Sequence, residues 1–191
     1  LPWSWRRGVQ AELIEARLRA DPGHRLKAVC VVHNETSTGV TSRVAEVRQA
    51  IDRAGHPALL LVDTISSLGS IDYRHDEWGV DVTIGGSQKG LMLPPGLSFN
   101  AFSAKALAAA ERAKLPRSYW DWREMLGPNA NGFFPYTPAT NLLYGLREAQ
   151  AATRGGLQTK AYDQANDLVK FSPLANWSER EVWVYLRANQ V

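Results

Sequence analysis

Cysteine is almost missing from this sequence: Cys30 stands alone among 191 residues. A single thiol closes no intrachain disulfide, and no Cys/His spacing suggests a zinc cluster, so no metal is expected. A reducing, cytoplasm-like compartment is the corresponding expectation. Long apolar runs are missing too, none approaching the roughly 18 residues a spanning helix needs, which argues against an integral membrane protein. The opening residues, Leu1-Pro2-Trp3-Ser4-Trp5-Arg6-Arg7, lack the apolar core of a signal peptide. Charge of one sign is scarce: 22 Lys+Arg against 19 Asp+Glu leave a formal +3, which by itself gives no reason to expect nucleic acid. Internal repeats and low-complexity tracts are absent as well. There is no initiator Met, so a fragment of a longer protein is the expectation.

What is present is globular, with 45% hydrophobic and 21% charged residues. At about 100–200 residues per domain, the length suits one domain, or one domain plus a fragment. Residues 9–20 carry apolar groups at helical spacing and stop at Asp21-Pro22-Gly23. Leu26 to Val32 is a short apolar run of the kind a buried parallel strand shows. Val44, Val47 and Ile51 then share a helix face, with Gly55 past its end. Residues 58–62 predict a second strand ending at Asp63, and residues 80–84 a third, followed by Gly85-Gly86-Ser87-Gln88-Lys89-Gly90. Leu97 to Phe102 predicts a fourth, before an Ala-rich helix from Ala104 to Ala113. Thr137-Pro138 reads as a hydroxyl cap with proline in the first turn of another helix, which Gly155-Gly156 ends. Strands alternating with helices imply an α/β fold with a mostly parallel sheet flanked by helices.

Ligands of open α/β sheets sit beyond the carboxyl ends of the strands. Three polar features fall there: the segment His33 to Gly39, Asp63, and Lys89. An acid and a lysine at neighbouring strand ends suit pyridoxal 5'-phosphate. The amine forms a Schiff base with the aldehyde, and the carboxylate keeps the pyridine nitrogen protonated. Gly85, Gly86 and Ser87 offer donors for a phosphate. The plainer reading stands beside this one: an Asp closing a strand is commonly a turn residue, and a Lys after a Gly-rich turn is commonly just solvated. Neither a P-loop nor a dinucleotide fingerprint is present, since the spacing differs and Gly90 rather than a hydroxyl follows Lys89.

Taken together, His33-Asn34-Glu35-Thr36-Ser37-Thr38-Gly39-Val40, Val62-Asp63-Thr64-Ile65-Ser66-Ser67-Leu68-Gly69 and Gly86-Ser87-Gln88-Lys89-Gly90 resemble the class V pyridoxal-phosphate aminotransferases. Residues 91–99 and 136–148 continue the likeness, which runs from about residue 1 to about residue 150 in the family's order. The resemblance implies part of the large domain of a fold-type I pyridoxal-phosphate enzyme. The implied reaction is transamination from serine to glyoxylate, giving hydroxypyruvate and glycine. The substrates would be small amino and 2-oxo acids, handled in a homodimer with shared sites. Lys89 then corresponds to the Schiff-base lysine and the base that moves the α-proton, and Asp63 to the partner of the pyridine nitrogen. Thr36 falls near the ring oxygen and Ile65 against the ring; Gln88 and Thr137 match phosphate contacts, the latter reaching a partner subunit's site. One departure is Phe134, where the family often has Tyr. For His33 a packed, hydrogen-bonded strand end is expected over a catalytic role, and Cys30 is expected to be inert core. The related cysteine desulfurases place His before the lysine and use a loop Cys; here Gln88 precedes Lys89 and the one Cys lies in a strand.

Residues 156–191 read differently from residues 1–155. They hold four basic groups and four acidic ones, and Ser178-Glu179-Arg180-Glu181 forms a capping box for a helix with Val182, Tyr185 and Leu186. Residues 167–183 are similar to a loop and helix of the phosphoadenosine- and adenosine-phosphosulfate reductases. The alternative function this implies is sulfonucleotide reduction in sulfate assimilation, represented only by this short helical tail. No Cys lies in 156–191, so no redox chemistry is expected of it. A chimeric chain without turnover is the third possibility.

Overall fold

The computed structural model describes residues 1–154 apart from Trp3, together with two strands at 160–163 and 168–171. In chain order the first four elements are α1 (Ala11–Arg19), β1 (Ala28–Val32), α2 (Val44–Arg53) and β2 (Leu59–Asp63). Next come β3 (Val82–Gly86), β4 (Ser98–Phe102), α3 (Ala104–Glu111), α4 (Trp122–Ala130) and α5 (Thr140–Arg154). The two remaining strands, β5 (Lys160–Asp163) and β6 (Leu168–Phe171), pair antiparallel. No element was expected at these two stretches. The expected helix at 178–186 and the stop at Gly155-Gly156 lie outside the described residues.

The main sheet has the order β1-β2-β3-β4, with β1, β2 and β3 parallel and β4 antiparallel to β3. The reversal follows from the connection: residues 87–97 hold no helix, and a parallel crossover needs about a dozen residues or more, usually helical. A mostly parallel α/β sheet is therefore the observed fold class.

Helices α1 and α2 pack on one face of this sheet. Ile14 and Leu18 of α1 and Val44, Val47 and Ile51 of α2 meet Val31, Leu60 and Val62 of the strands in one core. The α2 residues recur at helical spacing and are at most 1% exposed, so this stripe anchors the helix. Its end is a Schellman turn: Gly55 takes φ 59°, His56 N donates to Ile51 O, and Gly55 N donates to Asp52 O. On the opposite face Val32 is 44% exposed and Ile84 39%. Cys30 is exposed too, which corrects the expectation of an inert core thiol. Side chains alternate across a strand, so when Val31 enters the core its two neighbours face away from it.

Two helices differ from expectation. No element was expected at residues 122–130, where α4 forms with Gly127 and Pro128 inside it. Asp121 caps it by accepting from Arg123 N, and Trp122 stacks on Phe102 of β4 at 4.3 Å. Helix α5 begins at Thr140 rather than at Thr137-Pro138. Thr140 N turns back to Pro138 O at 2.9 Å and the first helical bond runs from Leu143 N to Ala139 O at 3.1 Å, so the helix starts past Thr137-Pro138. Among the described residues no helix is long and apolar enough to cross a membrane.

Candidate functional site

Asp63 ends β2 at the middle of the three parallel strands, in register with Val32 of β1 and Ile84 of β3. Its carboxylate is exposed, and Oδ1 accepts from Ile65 N at 2.8 Å. Its carbonyl accepts from His33 N at 2.9 Å, so the ends of β1 and β2 are joined where the acid stands. One strand further, β3 runs out at Gly86 into the segment bearing Gln88 and Lys89.

That segment is built around Ser87. Its hydroxyl donates to Pro94 O at 2.7 Å and accepts from Leu97 N at 3.2 Å, and the residue is fully buried. Both of these bonds lie inside the loop, so Ser87 holds it closed rather than standing free for a phosphate. Gln88 and Lys89, by contrast, are exposed. The chain re-enters at Gly90, where a Cβ would lie 2.3 Å from Leu68 O and 2.3 Å from Ser70 Oγ. Gly69, at φ 81°, faces Gly90 from the other side, a Cβ there lying 3.2 Å from Gly90 C. Two glycines thus let the turn after β2 and the loop after β3 meet backbone to backbone. This contact sets the acid's turn beside the lysine's loop.

Gly86 completes the arrangement. A Cβ there would lie 3.0 Å from Gln88 Oε1 and 3.1 Å from Ile65 Cδ1, so both side chains converge on it. Thr36 joins from the loop after β1 through a hydrogen bond between its Oγ1 and Ser66 Oγ. Asp63, Ile65, Thr36, Gln88 and Lys89 therefore lie on three strand-end loops tied to one another. Thr137 is exposed and precedes α5, a helix that packs on the lysine loop: a Cβ on Gly96 would lie 2.6 Å from Leu142 Cδ1. No described contact joins Thr137 itself to the other five. Phe134 is 47% exposed, and the neighbouring Tyr136 hydroxyl donates to Glu124 Oε2 at 2.8 Å.

Sequence reasoning missed Ser66 and Ser67, whose roles depend on partners about thirty residues away. Ser67 is fully buried and hydrogen-bonds His33 Nδ1 at 2.9 Å. His33 is 2% exposed, against Tyr73 and Trp78, and burial lowers its pKa from the usual 6.5 despite the opposing pull of Asp72. Burial likewise pushes Tyr73 up to about 12, keeping its hydroxyl neutral beside Thr83. The packed role expected of His33 is the one observed.

The donor set fits a phosphorylated pyridine aldehyde: an amine for the aldehyde, a carboxylate for the ring nitrogen, hydroxyls for a ring oxygen and an amide for phosphate. The sheet that carries these residues is an aminotransferase fold, the one the chain shares with solved aminotransferases. The chain belongs to the aminotransferase class-V family, whose family model matches residues 8–160. It is 57% identical over 152 residues to a serine–glyoxylate aminotransferase of Methylorubrum extorquens, covering 77% of this chain and 38% of that protein. To an L-aspartate–glyoxylate aminotransferase of Paracoccus denitrificans it is 54% identical, covering 74% and 36%. Among solved structures it resembles an alanine–glyoxylate aminotransferase from Nostoc at a TM-score of 0.66 and 34% identity, over 82% of this chain and 41% of that one. The chain thus spans well under half the length of these relatives. A second family model, the phosphoadenosine phosphosulfate reductase domain, matches residues 133–191.

Proposed function

We propose that this chain carries the acid-and-lysine half of an aminotransferase site that moves an amino group from serine to glyoxylate, giving hydroxypyruvate and glycine. The observation that supports it is the seating of the Asp63 turn against the Lys89 loop at Gly69 and Gly90. Pyridoxal 5'-phosphate, the family's cofactor, supplies an electron-accepting ring when bound. Lys89 would hold the cofactor through its aldehyde and, once the substrate's amine has displaced it, would be the free amine that moves the α-proton. Asp63 holds a proton at the ring nitrogen by its charge. Ile65 would pack on the ring, and Thr36, bonded to Ser66, would offer its hydroxyl to the ring oxygen. Gln88 holds the phosphate, and Thr137 does so for the site of a second copy, which makes a homodimer the working assembly. Small amino and 2-oxo acids are the substrates, and the compartment is cytoplasmic. Serine is favoured as donor because the Methylorubrum relative bears that name at 57% identity.

The domain reading accompanies this: residues 1–155 are part of an aminotransferase large domain, and 156–191 are a sulfonucleotide-reductase-like piece, making the chain a chimera. The match at 133–191 favours the second function, sulfonucleotide reduction, for that piece. The absence of Cys from 156–191 leaves it without a nucleophilic thiol.

The test is titration of the purified chain with pyridoxal phosphate. A visible absorbance band should form in the wild type, vanish in Lys89→Ala, and weaken in Asp63→Asn. A band that persists in Lys89→Ala defeats the proposal, and binding of adenylyl sulfate in a calorimeter would favour the reductase reading instead.

A further inference from the structure

His33 directly follows β1 next to the proposed site, yet it is 2% exposed and turned inward. Its backbone is bonded on both sides, N to Asp63 O at 2.9 Å and O from Ser42 N at 2.7 Å. Its ring meets Tyr73 with centroids 5.2 Å apart and Trp78 at 5.9 Å. Nδ1 lies 2.9 Å from Ser67 Oγ, which lies 3.4 Å from Thr64 O. A hydroxyl has one proton to give. The His33–Ser67 bond forms in either tautomer, with Nδ1–H donating to Ser67 Oγ or Ser67 O–H donating to Nδ1.

Ser67 is the pivot of the turn after β2. Its amide donates to Thr64 O at 3.0 Å, while its carbonyl accepts from Ser70 N and Ile71 N, each at 2.9 Å. That turn exposes Ile65 and Ser66 toward the strand ends and presses Gly69 onto Gly90, the residue after Lys89.

We infer that His33 is a positioning residue: through Ser67 it fixes the turn that carries Ile65 and Ser66 and abuts the Lys89 loop, without itself touching the cofactor. A site whose groups stand on three separate loops needs such support, because loops alone hold geometry loosely. This inference rests on the proposed cofactor reading for its chemical meaning, but its structural half is independent of that reading.

The experiment compares the full chain with His33→Phe, which keeps a ring and removes the hydrogen bond, with His33→Asn, which restores a polar group near Nδ1, and with Ser67→Ala. Amide exchange without cofactor is followed at Leu68, Ser70 and Ile71 in the turn and at Met92 in the lysine loop, with Val47 as a core control. His33→Phe should speed exchange at the turn amides and at Met92 about tenfold, the scale of one net hydrogen bond, with Val47 unchanged. Ser67→Ala should match it, the double variant should go no further than either single change, and His33→Asn should recover protection. Affinity for pyridoxal phosphate, read from the Lys89-dependent band, should fall and recover in the same order. Wild-type protection in His33→Phe, additive effects in the double variant, or a loosened turn with unchanged cofactor affinity would each overturn the inference. If the wild type forms no band, the cofactor reading fails. Exchange at Met92 then decides, loosening there supporting the linkage and wild-type protection there refuting it. Should His33→Phe not fold, Ser67→Ala carries the same comparison by removing one oxygen.

Discussion

Gly90 follows the lysine of the proposed site and has no room for a side chain. A methyl group there would fall 2.3 Å from both Leu68 O and Ser70 Oγ, one of them a backbone atom that cannot swing aside. Gly90→Ala should therefore push the Asp63 turn and the Lys89 loop apart. Overpacking of this kind costs about 1–3 kcal/mol. A lower urea midpoint together with a weakened pyridoxal-phosphate band is the expected result. A variant with wild-type stability and spectrum would mean the two loops are not seated as described. Single residues also mark where sequence reading stops. Lys89 and Asp63 were legible because each follows a short apolar strand. Ser87 was not, since its hydroxyl is closed off by Pro94 O and Leu97 N, groups brought to it by the loop's return.

Among the elements, α2 carries the plainest sequence-to-core logic. Val44, Val47 and Ile51 recur at three- and four-residue intervals and share one buried stripe against β1 and β2. Ile51 is fully buried, so Ile51→Ala should cost about 2–5 kcal/mol, from lost transfer energy plus the cavity left behind. Denaturant unfolding would measure it, and a cost near zero would contradict the packing. Strands β1 to β3 were equally readable from their apolar runs, whereas α4, which carries Gly127-Pro128, is held by features outside its own periodicity. Those are the Asp121 cap and the stacking of Trp122 on Phe102. The direction of β4 was likewise not encoded in its own residues; the short helix-free connection before it decides the pairing.

For the molecule as a whole, the asymmetry of the sheet is the dominant feature. Helices α1 and α2 cover one face, and the other presents Cys30, Val32 and Ile84. A maleimide reagent should therefore label Cys30 in the folded chain as fast as in the urea-unfolded chain, within about tenfold. Strong native protection of the thiol would show that this face is covered. Sequence alone determined the family, the alternation of helices and strands from α1 to α3, and the lysine and aspartate at strand ends, because these depend on residue type and spacing along the chain. Tertiary structure decided which strand side chains stay exposed, which hydroxyls are tied up inside loops, and how His33 reaches the site through Ser67. Those outcomes depend on partners distant in sequence, and local pattern carries no record of which distant groups will meet.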